Sequence, residues 1–180
     1  MPTKTELLDV AVEVLRRGDA LTLNAVAGDA GISKPGVVYH FTSKESLSVE
    51  VVDHIVDRWE RELRAHAGDS TKPLDLLRSY VDYAVTGEFD LSDLALLADV
   101  KIRDSLCEQW STRMSPWLGL DIEGGPGQRA SLRAARLLAD GAWFNKALPA
   151  SIAIDSGGRQ GVIRVTRFEQ HDGRARNTTT

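Results

Sequence analysis

Apolar residues recur at spacings of three and four through most of the chain, the signature of helices with one buried face. In residues 4–17 the stripe is Leu7, Leu8, Val10, Ala11, Val14 and Leu15, and Gly18 after Arg16 and Arg17 stops it. Thr22 can cap a second helix through Ala30, with Leu23, Val26, Ala27 and Ala30 facing inward, before Gly31 breaks it. Ser33 can cap a short third helix, with Pro35 tolerated in a first turn that needs no amide proton there. Three short helices in so few residues are the makings of a helix-turn-helix head.

Beyond Phe41, the run Thr42-Ser43-Lys44-Glu45-Ser46 resembles a capping box, with Thr42 or Ser43 as the cap. The long helix it opens carries Leu47, Val51, Val52, Ile55, Val56, Trp59 and Leu63 and ends near Ala67, ahead of Gly68-Asp69-Ser70. Pro73 starts another helix, with Leu74, Leu77, Tyr80, Val81 and Ala84, up to Gly87. From Leu91 to Leu118 the pattern stays helical but departs from one straight stripe, so two helices are expected there. Gly119 to Gly127 reads as a loop, and residues 128–148 as a strong helix bearing Leu132, Ala135, Leu138, Ala139, Ala142, Trp143 and Leu148.

The β-branched run Val162 to Phe168 suits a strand or a final helix, and we read it as helix. His171 to Thr180 is polar and is expected to be disordered. The expected fold class is all-α, an N-terminal three-helix helix-turn-helix head with a larger helical body. The boundaries are 1–47 for the head, 48–170 for the body and 171–180 for the tail.

Composition narrows the function classes. With 42% hydrophobic and 27% charged residues, the chain has ordinary globular balance. One cysteine, Cys107, excludes an internal disulfide framework, and no Cys/His cluster has zinc-ligand spacing. No metal or cofactor is expected. The N-terminus lacks a charged stretch followed by an apolar core, and no run of about 18 apolar residues occurs, so a cytoplasmic protein with no membrane partner is expected. A net charge of -4 argues against bulk electrostatic coating of nucleic acid. Between Gly31 and Lys44, however, two lysines and a histidine occur without an acid, so that stretch is locally positive.

The segment from Leu21 to Leu47 carries a dense string of motif residues. They are the capping Thr22, Val26-Ala27, Ala30-Gly31-Ile32-Ser33 at the turn, Tyr39-His40-Phe41, and Ser43-Lys44-Glu45-Ser46-Leu47 at the next helix start. It resembles the DNA-binding region of the TetR family of transcriptional regulators. The likeness is close over about the first 55 residues, while the body matches only in being helical and of similar length. The residue types fit the chemistry independently. Ser33, Lys34, Pro35 and Gly36 offer small and polar groups at the N-terminal turn of a recognition helix, whose amides favour a phosphate. Thr22, Tyr39, His40 and Lys44 suit phosphate contacts, which position the protein, whereas Lys34, Gly36 and Val38 suit base edges. Phe41 reads as core. Asp29 departs from the pattern, since an acid there helps neither phosphate approach nor base readout.

The resemblance implies a body that encloses a small-molecule effector. Its aromatic and sulfur residues, Tyr80, Tyr83, Cys107, Trp110, Met114, Trp117, Trp143 and Phe144, are the candidate lining, though such residues at helical spacing also make ordinary core. The small face of residues 128–148 resembles the family's dimer-forming element, with Ala135, Leu138, Ala139 and Ala142 as candidates. The expected partners are a double-stranded DNA operator, a small-molecule effector and a second copy in a homodimer. No catalytic constellation is evident: Ser, His and Asp are scattered, and Gly124-Gly125-Pro126-Gly127 precedes no phosphate-binding lysine. The expected function is a ligand-responsive repressor that binds a palindrome and is released by a small molecule. A helical protein-interaction module, or an enzyme with an incidental helix-turn-helix, are the alternatives.

Overall fold

The computed structural model describes residues 1–97, 99–119 and 122–148. The expectations for 150–170 and for the 171–180 tail lie outside the described residues. Among the described residues seven α-helices follow in order: α1 Lys4–Arg16, α2 Leu23–Asp29, α3 Lys34–Val38, α4 Lys44–Ala67, α5 Pro73–Thr86, α6 Arg103–Met114 and α7 Pro126–Ala147. Two 3-10 segments, Leu91–Leu97 and Ser115–Leu118, flank α6. No strand occurs among the described residues, and no helix there is long and apolar enough to cross a membrane.

Capping sets the helix starts. The Thr22 and Ser43 hydroxyls accept from the amides of Ala25 and Ser46, at 3.0 and 3.1 Å. A full capping box joins Thr3 and Glu6 at the start of α1, a signal that the apolar pattern alone did not single out. Such a cap contributes about 1 kcal/mol.

Leu91–Leu97, within the stretch expected to be helical, winds as a 3-10 segment. Its side chains explain this. Asp90 accepts from the Ser92 amide and hydroxyl, and Asp93 accepts from the Asp90 amide, so local side-chain bonds compete with an α-helical ladder. Asp93 then turns inward, where its fully buried carboxylate also takes the Trp59 indole N–H at 2.8 Å and the Arg58 guanidinium.

A single apolar cluster runs from the head into the body. Leu7, Ala11, Val26, Val37 and Phe41 fill the head. α4 carries the cluster onward through Val51, Ile55, Val56 and Trp59. Trp59 is fully buried at the centre of the body, with the rings of Tyr83, Phe89, Trp110 and Trp143 at centroid distances of 5.2, 5.0, 5.0 and 5.3 Å. Thus the aromatic residues scattered over the body's sequence gather around one that the periodicity marked only as a helix stripe.

α7 closes the bundle against α5. Ala135, Ala139 and Ala147 are buried, the Tyr80 hydroxyl donates to Asp140, and Lys146 Nζ donates to the carbonyls of Val85 and Gly87 at 2.6 and 2.8 Å. Two of the expected dimer residues, Ala135 and Ala139, are therefore spent on packing within the protomer. Small residues at these points let α7 approach closely, which is why they read as contact positions in the sequence. The opposite side of α7 exposes Leu137 at 69%, Leu138 at 44% and Phe144 at 41%.

Candidate nucleic-acid interface

α2 and α3 meet at a tight turn that only Gly31 serves comfortably, at φ +66°. The Ile32 amide donates back to the Ala27 carbonyl at 3.0 Å, and Val37, fully buried, anchors α3 to the head core. One side of this short helix is thereby fixed inward, and the other side is delivered to solvent. There stand Ser33, Lys34 and Pro35, all exposed, with Val38 at the margin of exposure.

Tyr39, just past α3, is 78% exposed. An aromatic side chain that well solvated contributes little to the core. The ring of His40 packs edge-on against it, with centroids 5.0 Å apart, and His40 Nε2 is buried without a hydrogen-bond partner among the described residues.

The Ser33 hydroxyl makes no capping bond, so the expected side-chain cap is absent and the group is left on the surface. With α3 spanning only Lys34–Val38, the exposed side chains rather than a helix dipole define this face. Gly36 is half-buried, and a Cβ there would lie 3.2 Å from Ile32 Cδ1. Part of its role is thus to let Ile32 pack beneath α3.

Thr22 is half-buried, its oxygen occupied as the cap of α2. Asp29, the acid that stood against the pattern, pairs with Arg17, which also reaches Asp19 at 3.2 Å, so its charge is compensated within the head. No described carboxylate pairs with Lys34.

Lys44 is different. Its ammonium lies 2.9 Å from Asp99 Oδ2, while Asp99 Oδ1 accepts from the Lys101 amide at 3.0 Å. Lys44 and that amide hold the Asp99 carboxyl below its ordinary range. Lys44 remains partly exposed, so a head cation is shared with a body carboxylate. A second such link joins Arg16 Nε of α1 to Asp90 at 2.7 Å. Nothing in the sequence pattern marks either pair.

In the head, a short helix rests across a glycine turn on its supporting helix, with a row of small, polar and aromatic groups free on its outer side. A family model described as "Bacterial regulatory proteins, tetR family" matches residues 7–51, which contain all of these elements. Over these residues the head is similar to the tetR family. Outside that region the likeness thins. The HTH-type transcriptional regulator RutR of Escherichia coli (strain K12) is 37% identical over 59 residues, which cover 33% of this chain and 27% of RutR. The match thus spans about a quarter of the length of that curated relative.

The tetR-type head and its body together share a fold with two solved structures. The multidrug binding protein EbrR, complexed with malachite green, superimposes with a TM-score of 0.61 at 19% identity, covering 92% of this chain and 98% of EbrR. SCO7518 from Streptomyces coelicolor A3(2) gives a TM-score of 0.61 at 19% identity, over 92% of this chain and 99% of that one.

In the body, Tyr80, Tyr83, Met114 and Trp117 are buried, Cys107, Trp110 and Trp143 half-buried, and Phe144 faces outward. Burial, then the Asp93 carboxylate, push the Tyr83 phenol up to about 12. The Trp143 indole N–H is buried without a partner among the described residues. Arg64 stacks over Trp117 at 4.7 Å. Trp59 and Phe89, which join this aromatic group, were not among the candidates drawn from the sequence.

Proposed function

We propose that this chain is a transcriptional regulator that represses by holding a palindromic operator as a homodimer, and that a small molecule taken up by the body releases it. The observation that carries the reading is the outer side of α3. Lys34 without a described ion pair, the uncapped Ser33 hydroxyl and the solvated Tyr39 stand together on a rigidly anchored helix. Side chains of this kind, on a helix of this size, suit contact with base edges and phosphates in a major groove.

Residues 1–47 form the DNA-binding part in this reading, and residues 48–170 the sensing and dimerising part. Thr22, Ser33, Pro35, Tyr39, His40 and Lys44 hold the backbone, and Lys34, Gly36 and Val38 read bases. A palindrome needs two heads related by a two-fold axis. The exposed apolar stripe of α7, Leu137, Leu138 and Phe144, is the surface we assign to the second copy, with the half-buried Ala142 beside it. EbrR is described as a multidrug binding protein and was solved with malachite green; a body of the same fold built around Trp59 supports an effector of aromatic character here.

The test is selection of bound duplexes from a random pool by the purified protein, followed by a salt titration on the enriched sequence. The expected outcome is a palindrome whose affinity falls steeply with salt, as counterion release requires. Absence of enrichment at low salt overturns the reading and favours a module that holds a protein partner.

A further inference from the structure

A cleft opens between α5, the second 3-10 segment and the first half of α7, away from the aromatic group around Trp59. Its volume is about 100 Å³. Leu77, Leu118 and Leu132 supply an apolar floor, and Arg129, Arg133 and Arg136 line it from α7. Spacings of four and three put those arginines on one side of the helix. The turn at Gly119, where φ is +62°, keeps the floor tight: a Cβ there would lie 2.8 Å from Leu77 Cδ2.

The charges over this floor are unevenly compensated. Arg136 has Asp140 at 3.5 Å, yet its buried Nε lacks a hydrogen-bond partner among the described residues. Arg129 donates to the Gly124 carbonyl, a neutral acceptor. Arg133 has neither a hydrogen bond nor an ion pair with any described residue. Guanidinium groups beside apolar surface, as at Arg129 and Arg133, with which no described carboxylate pairs, favour a ligand that brings its own carboxylate and an apolar group behind it. The forked donors match a planar carboxylate, and the volume suits a short hydrocarbon chain or a single ring rather than a nucleotide.

We propose that this cleft binds a small carboxylic acid anion with an apolar tail, the carboxylate held by Arg133 with Arg129 and the tail lying on Leu77, Leu118 and Leu132. Binding at this site does not depend on the DNA-binding reading. A chain that takes the anion and ignores DNA would keep this proposal and lose that one.

Isothermal calorimetry on the full chain tests it with four probes: hexanoate, hexanol, acetate and inorganic phosphate. Hexanoate is expected to bind at one site per chain. Hexanol, which lacks the charge, and acetate and phosphate, which lack the tail, are each expected to bind at least about tenfold more weakly. Arg133→Gln should weaken hexanoate about tenfold, and Arg129→Gln in the same background further, as charge-assisted bonds are lost. Both arginines are exposed, so the variants should keep the wild-type circular dichroism spectrum. If either fails to fold, the comparison of probes on the wild-type chain decides. Absence of hexanoate binding at millimolar concentration, equal binding of hexanol, or an affinity unchanged by Arg133→Gln in a folded protein would each overturn the proposal.

Discussion

Two lysines of the head carry the same charge into different surroundings, and their variants should separate. Lys34 projects from α3 with no described counter-charge, whereas Lys44 shares its ammonium with Asp99. Lys34→Ala is expected to change which duplexes are enriched, at a cost of about 1–3 kcal/mol on the preferred base pair. Lys44→Ala is expected to weaken binding to all duplexes alike and to lower the salt slope by about one. Repeating the selection and titration with each variant checks this, and identical enrichment profiles for both would refute the division of labour. The exposure of the α3 face was legible in the sequence because it depends on neighbours within a few positions. The Lys44–Asp99 and Arg16–Asp90 pairs were not, because each joins residues far apart in the chain, and no local pattern encodes which acid will fold against which base.

At the scale of elements, the long helices followed from periodicity and caps, and the start of α4 at Ser43 resolved the choice between two adjacent hydroxyl residues. The 3-10 segment Leu91–Leu97 escaped that reading because its conformation answers to a carboxylate drawn into the core. Asp93 receives the Trp59 indole N–H, the Arg58 guanidinium and the Asp90 amide. Asp93→Ala would leave three donors without their acceptor, one of them a charged group that is only partly exposed. We expect a loss of about 2–4 kcal/mol, read as a lower denaturant midpoint in equilibrium unfolding. A loss below about 1 kcal/mol would mean that desolvating the carboxylate costs nearly as much as its bonds return.

For the molecule as a whole, the side of α7 that faces outward matters more than its small residues. Ala135 and Ala139 are consumed by the protomer's own core, and the exposed large apolar residues of α7, which we assign to a second copy, are Leu137, Leu138 and Phe144. A helical wheel narrows such an interface to a face of α7, but which face the core claims depends on α5, which the wheel does not contain. Leu137→Glu should shift the chain from dimer to monomer in sedimentation while leaving its helical content unchanged, and an unaltered sedimentation coefficient would exclude this stripe as the contact. The ion pairs between head and body give the assembly a further property. α1 is tied to the body through Asp90 and α4 through Asp99, so the head is linked to it at two separated points. In the proposed dimer, two heads so mounted would act as a caliper, answering to the distance between half-sites as well as to their letters.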